Sequence, residues 1–212
     1  MAVAAKSLDK MPASRQIVHI VEDDELFRLS LQDLFLSLSI EADVFGDASD
    51  FFSRASRGTG GCVLLDVRLP GVNGIEFQRE LETRGYELPV IFMTAHGDVA
   101  TSVNAMKAGA VDFLQKPLRT YELLDAIRTA FAIDSGQQEQ RAYRQIIRER
   151  AETLTPREKQ VLGLVTSGLM NKQVAYELGI SEIMVKLHRG SVMRKMEATS
   201  LAELVRQFEM LD

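Results

Sequence analysis

The stretch Cys62-Val63-Leu64-Leu65-Asp66-Val67-Arg68-Leu69-Pro70-Gly71-Val72-Asn73-Gly74 decides the fold. Four apolar residues run straight into a carboxylate, and Pro70, Gly71 and Gly74 then shape a turn. An unbroken apolar run suits a strand buried on both faces, as in a parallel sheet. Open parallel sheets carry ligand chemistry just beyond the carboxyl ends of their strands, where Asp66 stands. Taken alone, the stretch admits two readings: a reactive carboxylate, or a strand-ending Asp that caps the next turn.

On its N-terminal side, Ile17-Val18-His19-Ile20-Val21 reads as a first strand, followed by the acids Glu22-Asp23-Asp24-Glu25 and a helical pattern of Leu26, Leu29, Leu31, Leu34, Phe35 and Leu38. Acids suit a helix N-terminus. Four in succession repel one another, though, and a cation among them lowers that cost. Glu41-Ala42-Asp43-Val44-Phe45 alternates as a second strand, and Asp47 caps a helix carrying Phe51, Phe52 and Ala55.

After the central stretch, residues 74–84 form a helix stopped by Gly85, and residues 89–94 a fourth strand ending at Thr94. Asp98 caps a helix over 99–108, with Val103 and Met106 inward. Residues 111–114 form a fifth strand leading to Gln115-Lys116-Pro117, and Thr120 starts a helix with Leu123, Leu124, Ile127 and Phe131. Strands alternating with helices predict an α/β domain, a flavodoxin-like five-stranded parallel sheet in the order 2-1-3-4-5. Its switch point lies between strands one and three, which sets the acids of residues 22–25 beside Asp66. Thr94 and Lys116 stand on the same rim.

These groups suit phosphoryl chemistry. Oxygen donors favour a hard cation such as Mg²⁺, which takes one or two carboxylates, waters and a phosphate oxygen. A carboxylate can attack a phosphoryl group and form an aspartyl-phosphate. The remaining work is positioning and charge neutralisation, which the Lys116 ammonium and the Thr94 hydroxyl can supply. Singly, Lys116 is an ordinary turn lysine and Thr94 ordinary strand filler; their convergence with Asp66 is what argues for a site.

Of the 212 residues, 46% are hydrophobic and 26% charged, an ordinary globular balance. Charge is uneven: residues 1–120 hold 12 Lys/Arg against 17 Asp/Glu, residues 121–152 hold 5 against 6, and residues 153–212 hold 8 against 7. The C-terminal part is therefore the one that phosphate does not repel. A lone cysteine, Cys62, excludes an internal disulfide and fits a reducing compartment. With neither a signal-like apolar block at the start nor 18 continuous apolar residues anywhere, the expectation is a cytoplasmic protein that makes no membrane contact and has a loose tail over 1–15.

Residues 132–152 are polar and read as a helical linker, with Ser135-Gly136 as a possible break. Tyr143, Ile147, Ala151 and Leu154 make a thin apolar seam, suited to packing on the first domain or on a second copy; a solvated spacer is the alternative. Residues 153–212 read as four helices. Thr155, Pro156 and Glu158 form a capping-box start, and Gly179-Ile180-Ser181 turns the chain between a second helix over 171–178 and a third over 182–196. Two short helices about a glycine turn suggest helix-turn-helix, and Lys186, His188, Arg189, Arg194 and Lys195 make the third helix basic. Lys186 and Arg189 share a face that fits phosphates and guanine edges, while His188 has no partner His or Cys for metal binding.

Residues 16–131 resemble a response-regulator receiver domain: Glu22-Asp23, Asp66, Thr94 and Lys116-Pro117 match that family's acid pair, acceptor, switch hydroxyl and lysine in order. Residues 154–208 resemble the LuxR/FixJ-type DNA-binding domain through Leu-Thr-Pro-Arg-Glu, Gly-Leu-Met-Asn-Lys-Gln-Val-Ala, Leu-Gly-Ile-Ser and Val-Lys-Leu-His-Arg. The resemblance implies a two-component transcription factor in which Asp66 takes phosphate from a sensor histidine kinase. It implies Mg²⁺ on Asp23, Asp66 and the Arg68 carbonyl, with Glu22 nearby, and Thr94, Phe113 and Lys116 as the phosphate-responsive group. It further implies homodimerisation on phosphorylation and promoter binding, with Lys172 and Arg194 on phosphates, Lys186, Leu187 and Arg189 facing the groove, and Ser181 capping the third helix; RNA polymerase is a further expected partner. Glu22 stands where Asp is usual and Phe113 where Tyr is frequent. Met184 replaces Thr, and Gly190 occupies a position that elsewhere carries a DNA-contacting side chain, at a cost of about 1 kcal/mol for a mid-helix glycine.

Two other classes fit less well. A metal-dependent phosphatase needs a second acid two residues after the nucleophile, and Arg68 stands there. A dinucleotide enzyme needs a glycine-rich turn after strand one, where the acids stand instead. A third reading, a receiver-like module used only for dimerisation, leaves the complete set of Asp23, Asp66, Thr94 and Lys116 without a purpose.

Overall fold

Apolar runs become strands in the computed structural model, which describes residues 15–95 and 105–211. These are β1 (Gln16–Val21), β2 (Ala42–Phe45), β3 (Gly60–Asp66), the two-residue β4 (Arg68–Leu69) and β5 (Val72–Asn73), β6 (Val90–Thr94) and β7 (Asp112–Gln115). Five of them form one parallel sheet in the order β2-β1-β3-β6-β7, while β4 and β5 pair as a separate antiparallel ribbon. Setting that ribbon aside, the order is the expected 2-1-3-4-5. Pro70 and Gly71 make its turn, with Gly71 at φ 81°.

All seven residues of β3 are buried, which is why its sequence does not alternate. Val63 and Leu65 face a layer containing Phe51, Phe77 and Leu81. Cys62 and Leu64 face the opposite layer, with Phe35, Leu123 and Ile127. At Gly61 (φ 133°) a side chain is excluded outright, because its Cβ would lie 1.9 Å from the Ile17 carbonyl oxygen.

The helices begin at side-chain caps. Asp24 accepts from the Phe27 amide at α1 (Glu25–Ser37), Asp47 from the Asp50 amide at α2 (Ala48–Arg54), and Asn73 from the Ile75 amide at α3 (Gly74–Thr83). In α1 only Leu31 and Phe35 are buried, so the leucine pattern is wider than its core stripe. Of the helix expected over 99–108, Asp98, Val99 and Val103 lie outside the described residues. Residues 105–107 are helical, and there the expectation needs correction: Ala105 is buried and Met106 exposed, the inward position falling one residue earlier. The tail expected over 1–15 lies outside the described residues except for Arg15, which pairs with Glu41.

α4 (Thr120–Glu152) runs unbroken through Ser135-Gly136. Side chains hold that turn in place. Asp134 accepts from the Gly61 amide at 2.8 Å and from Gln138 at 2.6 Å. Gln16 donates to the Phe131 carbonyl and to Ser135 Oγ. The chain divides into two compact units between Gln138 and Glu139, so the stretch read as a linker contributes to both. Within the second unit, Tyr143, Ile147 and Ala151 pack with Leu154, Leu162, Val192, Met196 and Leu204.

That unit continues with α5 (Pro156–Thr166), α6 (Asn171–Leu178), α7 (Glu182–Lys195) and α8 (Leu201–Glu209). The Thr155–Glu158 capping box is present, Gly179 ends α6 at φ 62°, and Ser181 caps α7 by accepting from the Met184 amide. Val161, Val165, Val174, Ala175 and Val185 fill the space among α5, α6 and α7.

Candidate functional site

Parallel pairing brings the reactive residues to one end of the sheet. Register sets Val21 beside Leu65, Asp66 beside Met93, and Thr94 beside Gln115. Glu22-Asp23 therefore leave β1, Asp66 closes β3, Thr94 closes β6, and Lys116 leaves β7, all along one rim. Arg28 pins the acidic turn from α1, its Nη1 donating to the carbonyls of Glu22 (2.6 Å) and Asp23 (3.3 Å). Gly74 lets α3 start against the rim, since a Cβ there would lie 2.9 Å from the Asp66 carbonyl oxygen.

Lys116 Nζ donates to Asp66 Oδ2 at 2.6 Å and to Glu22 Oε2 at 2.7 Å, and stands 4.5 Å from the centre of the Phe27 ring. Glu22 is 1% exposed and Asp66 7%, whereas Asp23 is open to solvent. Carboxylate oxygens of Glu22, Asp23 and Asp66 lie within 4.8 Å of one another. Burial raises the Glu22 carboxyl above its usual range, the Asp66 charge adds to this, and the Lys116 hydrogen bond opposes it. Burial is the largest single influence on Lys116 and works against its charge. The hydrogen bonds and charges of Asp66 and Glu22 together outweigh it, so the ammonium is held more firmly than usual.

The Arg68 amide donates to Asp66 Oδ1 at 2.9 Å, fixing the carboxylate from the other side. Thr94 is 3% exposed, and its carbonyl accepts from the Lys116 amide at 2.7 Å. Phe113 is half-buried, 6.4 Å from the Phe92 ring centre, and lines an open cleft of about 720 Å³ with Tyr121, Leu124 and Arg128. Three carboxylates against one ammonium leave surplus negative charge on oxygen donors, the composition a hard divalent cation takes.

In the second unit, Lys172, Lys186, Leu187 and Arg194 are exposed. Arg189 is half-buried, and its Nη1 donates to Asn171 Oδ1 of α6 at 3.0 Å. Ser181 is exposed, with its hydroxyl engaged as the α7 cap. Lys195, counted among the basic residues of the third helix, is tied into the scaffold: its Nζ donates to Glu158 Oε2 at 2.7 Å and to the Thr153 carbonyl at 3.0 Å. Sequence reading missed Arg28, Phe27 and Asn171. Asn171 lies 18 residues from its partner with no spacing signal, and Arg28 is one of several polar residues on a mixed helix, so nothing in the sequence singled it out.

Fold and pocket together define a class: an aspartate-centred receiver followed by a helix-turn-helix module. Comparison with known proteins agrees. Residues 18–128 match the family model of the response regulator receiver domain, and residues 152–208 that of the bacterial regulatory proteins of the luxR family. The chain is 47% identical to nodulation protein W of Bradyrhizobium diazoefficiens over 94% of this chain and 88% of that protein. It is 41% identical to the transcriptional regulatory protein FixJ of Azorhizobium caulinodans, over 89% and 90%. Among solved structures, the response regulator StyR is 42% identical with a TM-score of 0.77, covering 92% of this chain and 98% of that one. The chain belongs to the two-component response regulators that join a receiver domain to a LuxR-type DNA-binding domain, a family of transcriptional regulators rather than enzymes. Among the described residues, no helix is long and apolar enough to cross a membrane.

Proposed function

We propose that the protein is a cytoplasmic transcription factor switched by phosphorylation of Asp66. The observation that carries this reading is the Asp66 carboxylate at the end of β3, held between the Lys116 ammonium and the Arg68 amide beside Glu22 and Asp23. An Asp66 oxygen attacks the phosphorus of a phosphohistidine on a sensor histidine kinase; the new O–P bond forms as the P–N bond breaks, and the imidazole leaves with the electron pair. Glu22, Asp23, Asp66 and the Arg68 carbonyl would hold Mg²⁺, which when bound supplies positive charge to the transferring phosphoryl oxygens. Lys116 neutralises the same charge from the other side, and the Thr94 hydroxyl donates to a phosphoryl oxygen.

The acceptor gains roughly −1.5 to −2 of charge. Thr94, Lys116 and Phe113 pass that change to β7, the strand at the edge of the sheet among the described residues, beside the 720 Å³ cleft. Two phosphorylated copies pair across this edge, and phosphorylation and pairing reinforce one another by linkage. A dimer then sets two α7 helices on half-sites about one helical turn apart. Lys172 and Arg194 contact phosphates there, Lys186, Leu187 and Arg189 face the groove, Ser181 presents the N-terminus of α7, and the bound dimer contacts RNA polymerase.

The test is incubation of wild type and Asp66→Asn with Mg²⁺ and acetyl phosphate, followed by phosphate-affinity electrophoresis and size-exclusion chromatography. Wild type shifts on the gel and elutes as a dimer, and Asp66→Asn does neither. A shift in both proteins, or in neither, removes Asp66 as acceptor.

A further inference from the structure

Three and six tenths residues per turn places Ile183, Leu187, Gly190 and Arg194 within about 60° of one another on α7. Ile183 is 71% exposed and Leu187 61%, and Gly190 continues their row as an exposed position. A Cβ built on Gly190 meets no atom within 4 Å, so nothing in the free protein requires a glycine there. The crest of the helix is therefore aliphatic at its N-terminal half and bare in its middle. Cationic groups stand to one side: Lys186 flanks the crest, and Arg189 is turned toward Asn171. Met184, also exposed, flanks the other edge. Gly136 and Gly163 likewise have room for a Cβ, yet neither continues a row of two strongly exposed aliphatic side chains.

We propose that Gly190 is a specificity-determining position, and that the crest it notches reads thymine methyl groups in the major groove. This rests on the DNA-binding reading above. A side chain at the middle of a groove-facing helix sets how near the backbone comes to the base edges. Without one, α7 seats deeper, and Ile183 and Leu187 reach the C5-methyl groups, the apolar feature that separates thymine from the other bases. Hydrogen-bonded readout falls to Lys186 at the flank and Arg189 beyond it, and Arg194 at the far end of the row meets phosphate. The half-site is thus one with thymines under the N-terminal half of α7.

The test uses the full-length protein, phosphorylated with acetyl phosphate and Mg²⁺, to enrich duplexes from a random-sequence library. The enriched site is remade with deoxyuridine replacing each thymine in turn, which deletes one methyl group and keeps every hydrogen-bonding group. Loss of affinity by about fourfold at one or more half-site positions is expected, the transfer free energy of one buried methyl group. Gly190→Ala and Gly190→Leu are compared with wild type on the enriched site and on an unrelated duplex. Both variants melt at higher temperature than wild type, because glycine is the poorer helix former. Gly190→Leu loses about tenfold on the enriched site, within the range of a mismatched base pair, and a clearly smaller factor on the unrelated duplex, where phosphate contacts dominate. Uracil tolerated at every position overturns the proposal. So do Gly190 variants that bind the enriched site as wild type does, or that melt lower and reveal a structural role. A wild-type protein that enriches no sequence at all overturns the DNA-binding reading itself, and this inference with it.

Discussion

In the receiver unit Lys116 donates to Asp66 at 2.6 Å and to Glu22 at 2.7 Å; in the second unit Lys195 donates to Glu158 at 2.7 Å. The two lysine–carboxylate contacts have nearly the same length, and they differ in what surrounds them. Glu158 also accepts from the Thr155 amide, Thr155 Oγ1 accepts from the Glu158 amide, and Lys195 finds a second acceptor in the Thr153 carbonyl. One acid and one base are balanced, and the contact ties the start of α5 to the end of α7. Around Lys116, two acids share one ammonium and a third, the exposed Asp23, stands beside them, so the strand ends gather an excess of negative charge. An ion pair therefore marks neither stability nor function by its distance. The surplus charge left after pairing is what separates a binding pocket from a brace.

The largest effect expected from this contrast is at Lys116. Lys116→Met leaves Glu22 and Asp66 without a counter-charge, which lowers receiver stability by about 3 kcal/mol in metal-free buffer. The same change makes the pocket more negative, so Mg²⁺ restores more stability in the variant than in wild type. Urea melts with and without Mg²⁺ measure both quantities, and an equal Mg²⁺ effect in the two proteins would contradict the surplus-charge account.

A smaller effect is expected at the brace. Glu158→Gln costs about 1–2 kcal/mol of stability in the second unit, the scale of a charge-assisted hydrogen bond, and leaves phosphorylation of Asp66 unchanged. The Lys195 hydrogen bond, helped by the Thr155 amide, holds the Glu158 carboxyl below its ordinary 4.5. Its contribution is thus fully present above pH 4.5 and disappears as pH falls through the lower folded value. Thermal melts of wild type and Glu158→Gln should differ by a constant amount near neutrality and converge in acid. A gap that persists to low pH would assign the loss to packing instead.

The smallest effect concerns His19, buried on β1 against the rings of Phe45 and Phe51, with neither ring nitrogen hydrogen-bonded. Burial lowers its proton affinity below the ordinary 6.5, against the pull of Asp43 at 3.9 Å. The unfolded chain takes up a proton below pH 6.5 that the folded chain refuses, so receiver stability declines as pH drops past that value. His19→Leu flattens this slope. Identical slopes in wild type and variant between pH 7 and 5.5 would clear the imidazole of any part in it.

Much of the architecture was legible before the structure. A parallel strand buried on both faces has to be apolar throughout, so β3 and β6 stood out as runs bounded by turns. Two caps were equally plain, because Asp47 and Thr155 each precede a helical pattern at the spacing their hydrogen bonds need, and the Ser181 cap followed from the family resemblance. The convergence of Asp66, Thr94 and Lys116 with the Glu22-Asp23 pair followed once strand order was inferred, since every parallel strand delivers its last residue to the same rim. What misled was local. Ser135-Gly136 has the composition of a helix break, yet Asp134 and Gln138 find partners on Gly61 and on each other, and the helix continues.

By itself, then, the sequence determined the alternation of strands and helices, the sheet order, and the set of groups that meet at its carboxyl edge. Hydrophobic period, capping chemistry and crossover handedness act over short stretches of chain, and short-range rules can be read from one dimension. Only the tertiary structure decided how each charge is used. Whether Lys116 serves two acids, Lys195 braces a helix pair or Arg189 leans on Asn171 depends on which side chains lie within about 3 Å in space. That proximity is set by the packing of residues 18 to 94 positions apart, and no local pattern encodes it.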